Sequence, residues 1–244
     1  MVRIPRNPEE IFERFVDDYR ETYGQDLVSI ILYGSGARGE YVPNKSDINF
    51  LVIISELGMS NLSKAIPLVA SWHRYRVSTP LFLTEASVVS SLDTFPIEFL
   101  NIRTCYRLVH GKDILRDILF DKKYVRLQCE RELKGKLVQL RERFLGSEGR
   151  KARVQALINS SLLTFLSLFQ AILFLLDREP TTDKHELVTR VARETGLNKE
   201  LFRELLSIKE GRQRVRPQGA VSLMERYIEE IRKLSGFVDR LTVE

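Results

Sequence analysis

The chain has 244 residues, of which 43% are hydrophobic and 29% are charged, and its formal net charge is +5. This composition excludes a disordered tail, and the length allows two small domains. The cysteines Cys105 and Cys129 are too few for a disulfide framework or a cysteine-ligated metal cluster. The excess of 38 basic over 33 acidic residues favours anionic partners only weakly.

The first part of the chain alternates predicted helices and strands. Apolar residues at helical spacing predict a helix that begins at Pro8 and stops at Gly24. Short apolar runs predict strands at Leu27–Tyr33, Ile48–Ile54, Val77–Leu83, Pro96–Arg103 and Tyr106–Val109. Further helices are expected at Asn61–Tyr75 and from Thr84 to Leu92.

The second part of the chain carries only helical patterns. The expected helices are Lys122–Leu145, Lys151–Asp177, Asp183–Thr195, Lys199–Lys209 and Val221–Leu241. This change of pattern predicts an α/β (α+β) domain at residues 1–115 and an all-α helical bundle at residues 116–244.

The segment Leu157–Leu176 has no charged residue and is long enough to cross a bilayer. Serine, threonine, asparagine and glutamine residues interrupt it, so we interpret it as a buried helix of the bundle and expect no membrane association. The N-terminus does not resemble a signal peptide, which makes the cytoplasm the expected location.

The most informative pattern is YGSGARGE at residues 33–40, followed by DINF at residues 47–50. Gly34 and Ser35 end a predicted strand, where small side chains let backbone amides approach a phosphate group closely. Asp47 heads the neighbouring strand, where its carboxylate could bind Mg²⁺ on the same triphosphate. The pattern therefore indicates nucleoside triphosphate (NTP) chemistry with Mg²⁺.

Residues 36–39 are expected to begin a helix whose N-terminus also favours anions. Arg38 lies beside this turn and is a candidate phosphate ligand. The competing interpretation is an ordinary solvated arginine on the surface of that helix.

These residues resemble the signature of the nucleotidyltransferase superfamily, which includes DNA polymerase beta and the aminoglycoside nucleotidyltransferases. The resemblance covers about residues 8–110 and implies a small mixed sheet. It also implies that Gly34 and Ser35 hold the β and γ phosphates. Asp47 and the position of Asn49 would bridge two Mg²⁺ ions, and a third carboxylate on the next central strand would activate the attacking hydroxyl.

The carboxylate set departs from the family pattern at two positions. Asn49 points to the same side of its strand as Asp47, but its neutral amide can ligate a cation without bridging two. The predicted strand Val77–Leu83 contains no acid in the third position, and the nearest substitutes are Glu85 and Glu98.

Two hypotheses follow. The first is a nucleotidyltransferase-fold protein with a nucleotide-binding cleft whose transfer activity is impaired or lost, leaving a role in binding, sensing or partner contact. The second is an active Mg²⁺-dependent enzyme that uses Asp47 and Asn49 to move a nucleoside monophosphate to a hydroxyl of a small molecule or protein. The missing carboxylates favour the first. A nucleic-acid partner is not expected, because the sequence has no helix-turn-helix signature or aromatic sheet motif.

Overall fold

The computed structural model describes residues 3–243, which form two compact units. The first unit contains the residues up to Leu92 together with Ile102–Leu119. The second contains Asp93–Asn101 and the residues from Phe120 onward. The first unit holds a mixed sheet with helices, and the region after residue 121 is helical. The predicted fold class is therefore confirmed.

The N-terminal region alternates short helices and strands. In chain order they are α1 (Phe12–Tyr23), β1 (Leu27–Tyr33), β2 (Asn49–Ile54), α2 (Glu56–Ser60), α3 (Ile66–Trp72), β3 (Leu81–Leu83), α4 (Glu85–Ser90), α5 (Pro96–Thr104) and β4 (Tyr106–Gly111). Turns of 3₁₀ helix precede α1 at Pro8–Ile11 and follow α3 at His73–Tyr75. The boundary between the two compact units falls inside α5.

The four strands form one mixed sheet in the order β3-β2-β1-β4. Strand β1 is antiparallel to β2 and β4, whereas β2 and β3 are parallel. Tyr33 faces Asn49 across the β1–β2 ladder, and an isolated parallel bridge joins Ile48 to Val77. The end of β1, the start of β2 and the segment before β3 therefore meet at one edge of the sheet.

The core of the first unit forms where α1 covers the sheet. Most of β1 and β2 is buried, as expected for strands with uninterrupted apolar runs. Phe15 of α1 stacks on Phe50 of β2 with ring centroids 4.1 Å apart, and its ring meets Trp72 edge-on at 5.2 Å. The indole Nε1–H of Trp72 donates a 3.0 Å hydrogen bond to Asp18 Oδ2, so this buried donor is satisfied.

The predicted strand Pro96–Arg103 is wrong, because this segment is helix α5. Proline at the first helical position is compatible with a helix start. Ile97 and Leu100 lie three residues apart and are both buried in the core of the second unit, which a helix permits on one face. The backbone N–H of Ile97 also donates to Gln128 Oε1 at 2.9 Å.

The second unit is built from the long helices predicted by hydrophobic periodicity. They are α6 (Lys122–Gly146), α7 (Lys151–Leu175), α8 (Lys184–Thr195), α9 (Lys199–Lys209) and α10 (Ala220–Asp239). Asp183 and Asn198 cap α8 and α9 by accepting backbone hydrogen bonds. Within residues 3–243, α7 is the one helix long and apolar enough to cross a membrane. It packs against the other four helices, and 56% of its most apolar window is buried.

Candidate functional site

The segment after β1 is a hydrogen-bonded turn, so the expected helix start at residues 36–39 is wrong. Arg38 N–H donates to Gly34 O at 3.2 Å, and Glu40 N–H donates to Ser35 O at 3.0 Å. Gly34 and Gly39 have φ of +75° and +71°, values that a right-handed helix does not contain. The two glycines let the chain reverse tightly.

The structure brings Gly34 and Asn49 together. A Cβ atom added to Gly34 would lie 3.0 Å from Asn49 Nδ2, closer than most such contacts in proteins. The contact follows from the β1–β2 ladder, in which Tyr33 faces Asn49. Gly34 therefore meets both requirements of this position, a positive φ and a close approach by a neighbouring side chain.

The Asn49 amide is held by a serine from the neighbouring strand segment. Ser78 Oγ donates a 2.6 Å hydrogen bond to Asn49 Oδ1 and also lies 3.2 Å from Ile48 O. Asn49 Nδ2 lies 3.5 Å from Asp47 O, which is a weak contact. Ser78 belongs to the segment Val77–Leu83, where the resemblance implied a third carboxylate. In place of a carboxylate, this segment supplies a hydroxyl group that hydrogen-bonds to Asn49.

The Asp47 carboxylate pairs with an arginine. Arg76 Nη2 lies 2.7 Å from Asp47 Oδ1. The same guanidinium donates to two backbone carbonyls of the preceding loop, Ser46 O from Nε and Lys45 O from Nη2, each at 3.3 Å. The Asp47 side chain is 56% exposed, so a ligand can still reach it. Asp47 and Arg76 together form a neutral ion pair at the edge of the sheet.

Arg38 lies in the turn itself, and its Nε forms an ion pair with Glu40 Oε2 at 3.1 Å. The Sγ of Cys105 lies 3.4 Å from the backbone carbonyl of Ala37 in the same turn. Burial raises the pKa of the Cys105 thiol, and the positive charge of Arg38 acts in the opposite direction. This thiol is therefore a neutral donor near pH 7 that helps to fix the turn. A contact between Arg38 and a phosphate group stays a prediction.

The two acids considered for the third carboxylate have other surroundings. Glu85 follows β3, whose Leu83 pairs with Ile53. The distance along β2 from Asp47 to Ile53 is roughly 20 Å at the rise of an extended strand, and Glu85 Oε2 pairs with Lys112 Nζ at 2.5 Å. Glu98 lies in α5, where Oε2 accepts a 2.7 Å hydrogen bond from Gln128 Nε2.

A two-metal cluster needs several carboxylates in a confined space. The position of Asn49 supplies an amide that already accepts from Ser78, and Asp47 already pairs with Arg76. Over residues 3–243, no group of three or more His, Cys, Asp or Glu side chains is arranged to hold a metal ion. The side chains at this edge therefore do not fit the pair of Mg²⁺ ions that the resemblance implies.

Sequence reasoning missed Arg76 and Ser78. Ser78 and Thr79 are the two hydroxyl residues of the predicted strand Val77–Leu83, and the search for a partner of Asn49 could have pointed to this pair. Arg76 carried no comparable signal, because its role depends on a left-handed backbone conformation (φ +61°) between a 3₁₀ turn and the strand.

Comparison with known proteins gives two similarities. No protein-family model matches the chain. A candidate protein adenylyltransferase of Methanocaldococcus jannaschii is 30% identical over 107 residues, which is 42% of this chain and 71% of that protein. The spectinomycin adenyltransferase of Enterococcus faecialis, solved with ATP and spectinomycin, matches with a TM-score of 0.55. That alignment covers 93% of this chain and 100% of the other at 13% identity, so it shows the shared fold alone.

The mixed sheet, the glycine-serine turn and the neighbouring Asp47 define a nucleotidyltransferase-like fold. The chain belongs to the nucleotidyltransferase superfamily, as its identity to the archaeal relative shows. The resemblance stated from the sequence is therefore confirmed at the level of the superfamily.

Proposed function

We propose that the chain is a nucleotide-binding member of the superfamily in which nucleotide transfer is impaired or lost. We infer a nucleotide-binding domain at residues 1–115 and a helical domain at residues 116–244, in a cytoplasmic protein. The observation that carries the proposal is the pairing at the sheet edge. Arg76 holds Asp47 and Ser78 holds Asn49, so both positions assigned to metal ligands already have protein partners.

The phosphate-binding part of the site supports retained nucleotide binding. Gly34 adopts a positive φ beside Asn49, and the turn that follows is closed by backbone hydrogen bonds. Such a turn presents small residues and backbone amides to an anion. Gly34, Ser35 and Arg38 are the residues we expect to contact the phosphates.

The carboxylate set supports the loss of transfer. In-line transfer of a nucleotidyl group depends on positioning and on stabilising charge that develops on the attacking and leaving oxygens. With Asn49 in place of a carboxylate and Ser78 as its partner, the site lacks a side chain placed to take the proton of an attacking hydroxyl. Asp47 alone carries the negative charge that a metal would need.

ATP is the nucleotide to test first. The archaeal relative is named as a candidate protein adenylyltransferase, and the structural neighbour is an adenyltransferase solved with ATP. We extend adenine nucleotide binding to this chain on that basis. If transfer survives, a hydroxyl of a protein or of a small molecule is the acceptor class that these relatives suggest.

The test measures binding and transfer separately on the full chain. We expect isothermal titration calorimetry to detect ATP binding, and we expect no labelled AMP on any acceptor after incubation with α-labelled ATP and MgCl₂, alone or with cell lysate. Transfer that disappears in Asp47→Asn but persists in Asp17→Asn, an exposed aspartate of α1, would contradict the proposed loss of activity. Absence of ATP binding in every buffer would contradict the proposed binding role.

A further inference from the structure

The loop that leads into β2 is fastened by one guanidinium. Arg76 donates from Nη2 to Asp47 Oδ1 at 2.7 Å and to Lys45 O at 3.3 Å, and from Nε to Ser46 O at 3.3 Å. One side chain thus contacts three consecutive residues and ends on the single carboxylate of the site. The positive charge of Arg76 therefore lies against Asp47, one of the two residues that the superfamily resemblance assigns to Mg²⁺ binding.

Hydrogen bonds of the Arg76 backbone N–H and C=O fix the point from which the guanidinium side chain extends. Its φ of +61° is uncommon for a residue with a side chain. Arg76 N–H donates to His73 O at 3.0 Å, which closes the 3₁₀ turn, and Arg76 O accepts from Ile48 N–H at 2.9 Å. The left-handed residue is therefore tied to the strand that follows Asp47, and the guanidinium starts from a defined point.

The hydrogen-bond inventory leaves donors for a ligand. A guanidinium has five N–H groups, and the three bonds above use the one on Nε and the two on Nη2. Within residues 3–243, the two N–H groups on Nη1 have no acceptor. An arginine with a free pair of donors can contact phosphate oxygens directly.

The positive charge of Arg76 affects the binding of a negatively charged nucleotide at this edge of the sheet. A triphosphate carries several negative charges and would be repelled by an unpaired carboxylate at the same edge of the sheet. A metal cluster normally removes that repulsion. In this chain Arg76 neutralises Asp47, and Asn49 contributes no charge, so the edge is neutral before any cation binds.

We propose that Arg76 replaces the divalent cation, so that the site binds a nucleoside triphosphate in its metal-free form. This proposal rests on the nucleotide binding proposed above and adds the form of ligand that the site takes. It explains why the side chains of this site do not fit Mg²⁺, because the proposed ligand needs no bound cation.

The first experiment needs no variant. ATP is titrated into the full chain in excess EDTA and again in excess MgCl₂ at equal ionic strength. We expect binding in EDTA to be at least as tight as binding in MgCl₂, because excess Mg²⁺ holds most of the ATP as its magnesium complex and lowers the concentration of the metal-free form. Binding weaker by about tenfold or more in EDTA would overturn metal-free binding while leaving nucleotide binding intact. Absence of binding in both buffers would overturn both proposals.

A second experiment uses a matched pair of variants. Arg76→Gln removes the charge and keeps an unbranched side chain at the left-handed position. Arg74→Gln makes the same change at an exposed neighbour whose contact is a long bond to Ser71 O, at 3.5 Å. We expect Arg76→Gln to weaken ATP binding in EDTA by about tenfold or more, as losing a charged contact does. Arg74→Gln should bind as the natural protein does.

Unchanged ATP binding by Arg76→Gln would overturn the assigned role of the guanidinium. Unfolding followed by the fluorescence of Trp72, the single tryptophan, shows whether each variant is folded. If Arg76→Gln fails to fold, the comparison of EDTA with MgCl₂ on the natural protein still decides the proposal.

Discussion

Ser78 Oγ and Asn49 Oδ1 are joined by a 2.6 Å hydrogen bond between neighbouring strand segments. We expect Ser78→Ala to lower the free energy of unfolding by about 1 kcal/mol, because a partly buried acceptor loses its donor. Chemical denaturation followed by Trp72 fluorescence measures the change. Ser63→Ala, at an exposed serine, is the control and should change stability by less than about 0.5 kcal/mol. Equal effects of the two substitutions would contradict a role for this bond.

The effect of the Gly34–Asn49 contact can be separated from the effect of backbone strain by comparing two glycine substitutions. Gly34→Ala and Gly39→Ala both place a side chain at a positive φ, and each should lose about 1–2 kcal/mol of stability. A Cβ at Gly34 also meets Asn49 Nδ2 at 3.0 Å, whereas a Cβ at Gly39 meets open space. We therefore expect Gly34→Ala to weaken ATP binding more strongly, as calorimetry on both variants would show. Similar binding by the two would argue against the turn as the phosphate site.

The buried indole of Trp72 depends on one carboxylate. Asp18→Ala removes the acceptor of the Trp72 Nε1–H bond and should cost about 1–3 kcal/mol, the range for a buried donor left without a partner. Asp17→Ala alters the exposed neighbour on the same helix and should leave stability within about 0.5 kcal/mol. Urea denaturation of both variants makes the comparison, and equal stabilities would contradict it.

Restoring the carboxylate at position 49 should restore a response to metal. We expect Asn49→Asp to gain stability in MgCl₂, by about 1.4 kcal/mol when free Mg²⁺ is tenfold above its dissociation constant. The natural protein should show no such gain. Asn44→Asp adds the same charge in the loop before β2, at a left-handed residue that aspartate tolerates, and controls for a general charge effect. Thermal unfolding with and without MgCl₂ gives the result, and equal responses of the two variants would contradict it.

The two cysteines should differ in reactivity and in pH dependence. Burial raises the pKa of Cys129 to about 12, whereas Cys105 is partly exposed. In the folded protein we expect a thiol reagent to modify Cys105 slowly near pH 8 and to spare Cys129. Because the folded pKa of Cys129 is raised, its neutral form stabilises the fold at neutral pH. That contribution is lost as the pH rises from 9 towards 12. Mass spectrometry after labelling Cys105→Ser identifies any reaction at Cys129.

The helical region was largely predictable because its signals are local. Helices α6 to α10 were predicted from long helical patterns, which leave few alternatives. Side-chain caps mark the starts of α6, α8 and α9, at Asp121, Asp183 and Asn198. Helix α5 was missed because Pro96–Arg103 is short and apolar, and such a run does not distinguish a strand from a buried helix.

The contacts within the site were predictable where they follow from the pairing of predicted strands. Gly34 directly follows β1 and lies near Asn49 because β1 and β2 are neighbours in the sheet, and the sequence predicted both strands. The pairing of Arg76 with Asp47 was not predictable. It depends on a left-handed turn and a parallel bridge that bring together side chains 29 residues apart in the chain.

The facing of Tyr33 and Asn49 across the β1–β2 ladder has an evolutionary consequence. The ladder itself sets the spacing between the glycine turn and the polar residue opposite, so the intervening connection has no part in setting it. Residues such as Val42 and Pro43 can therefore be replaced or extended by insertions while the spacing is preserved. Related chains can diverge in this connection and still keep the same distance between the glycine turn and the residue at position 49.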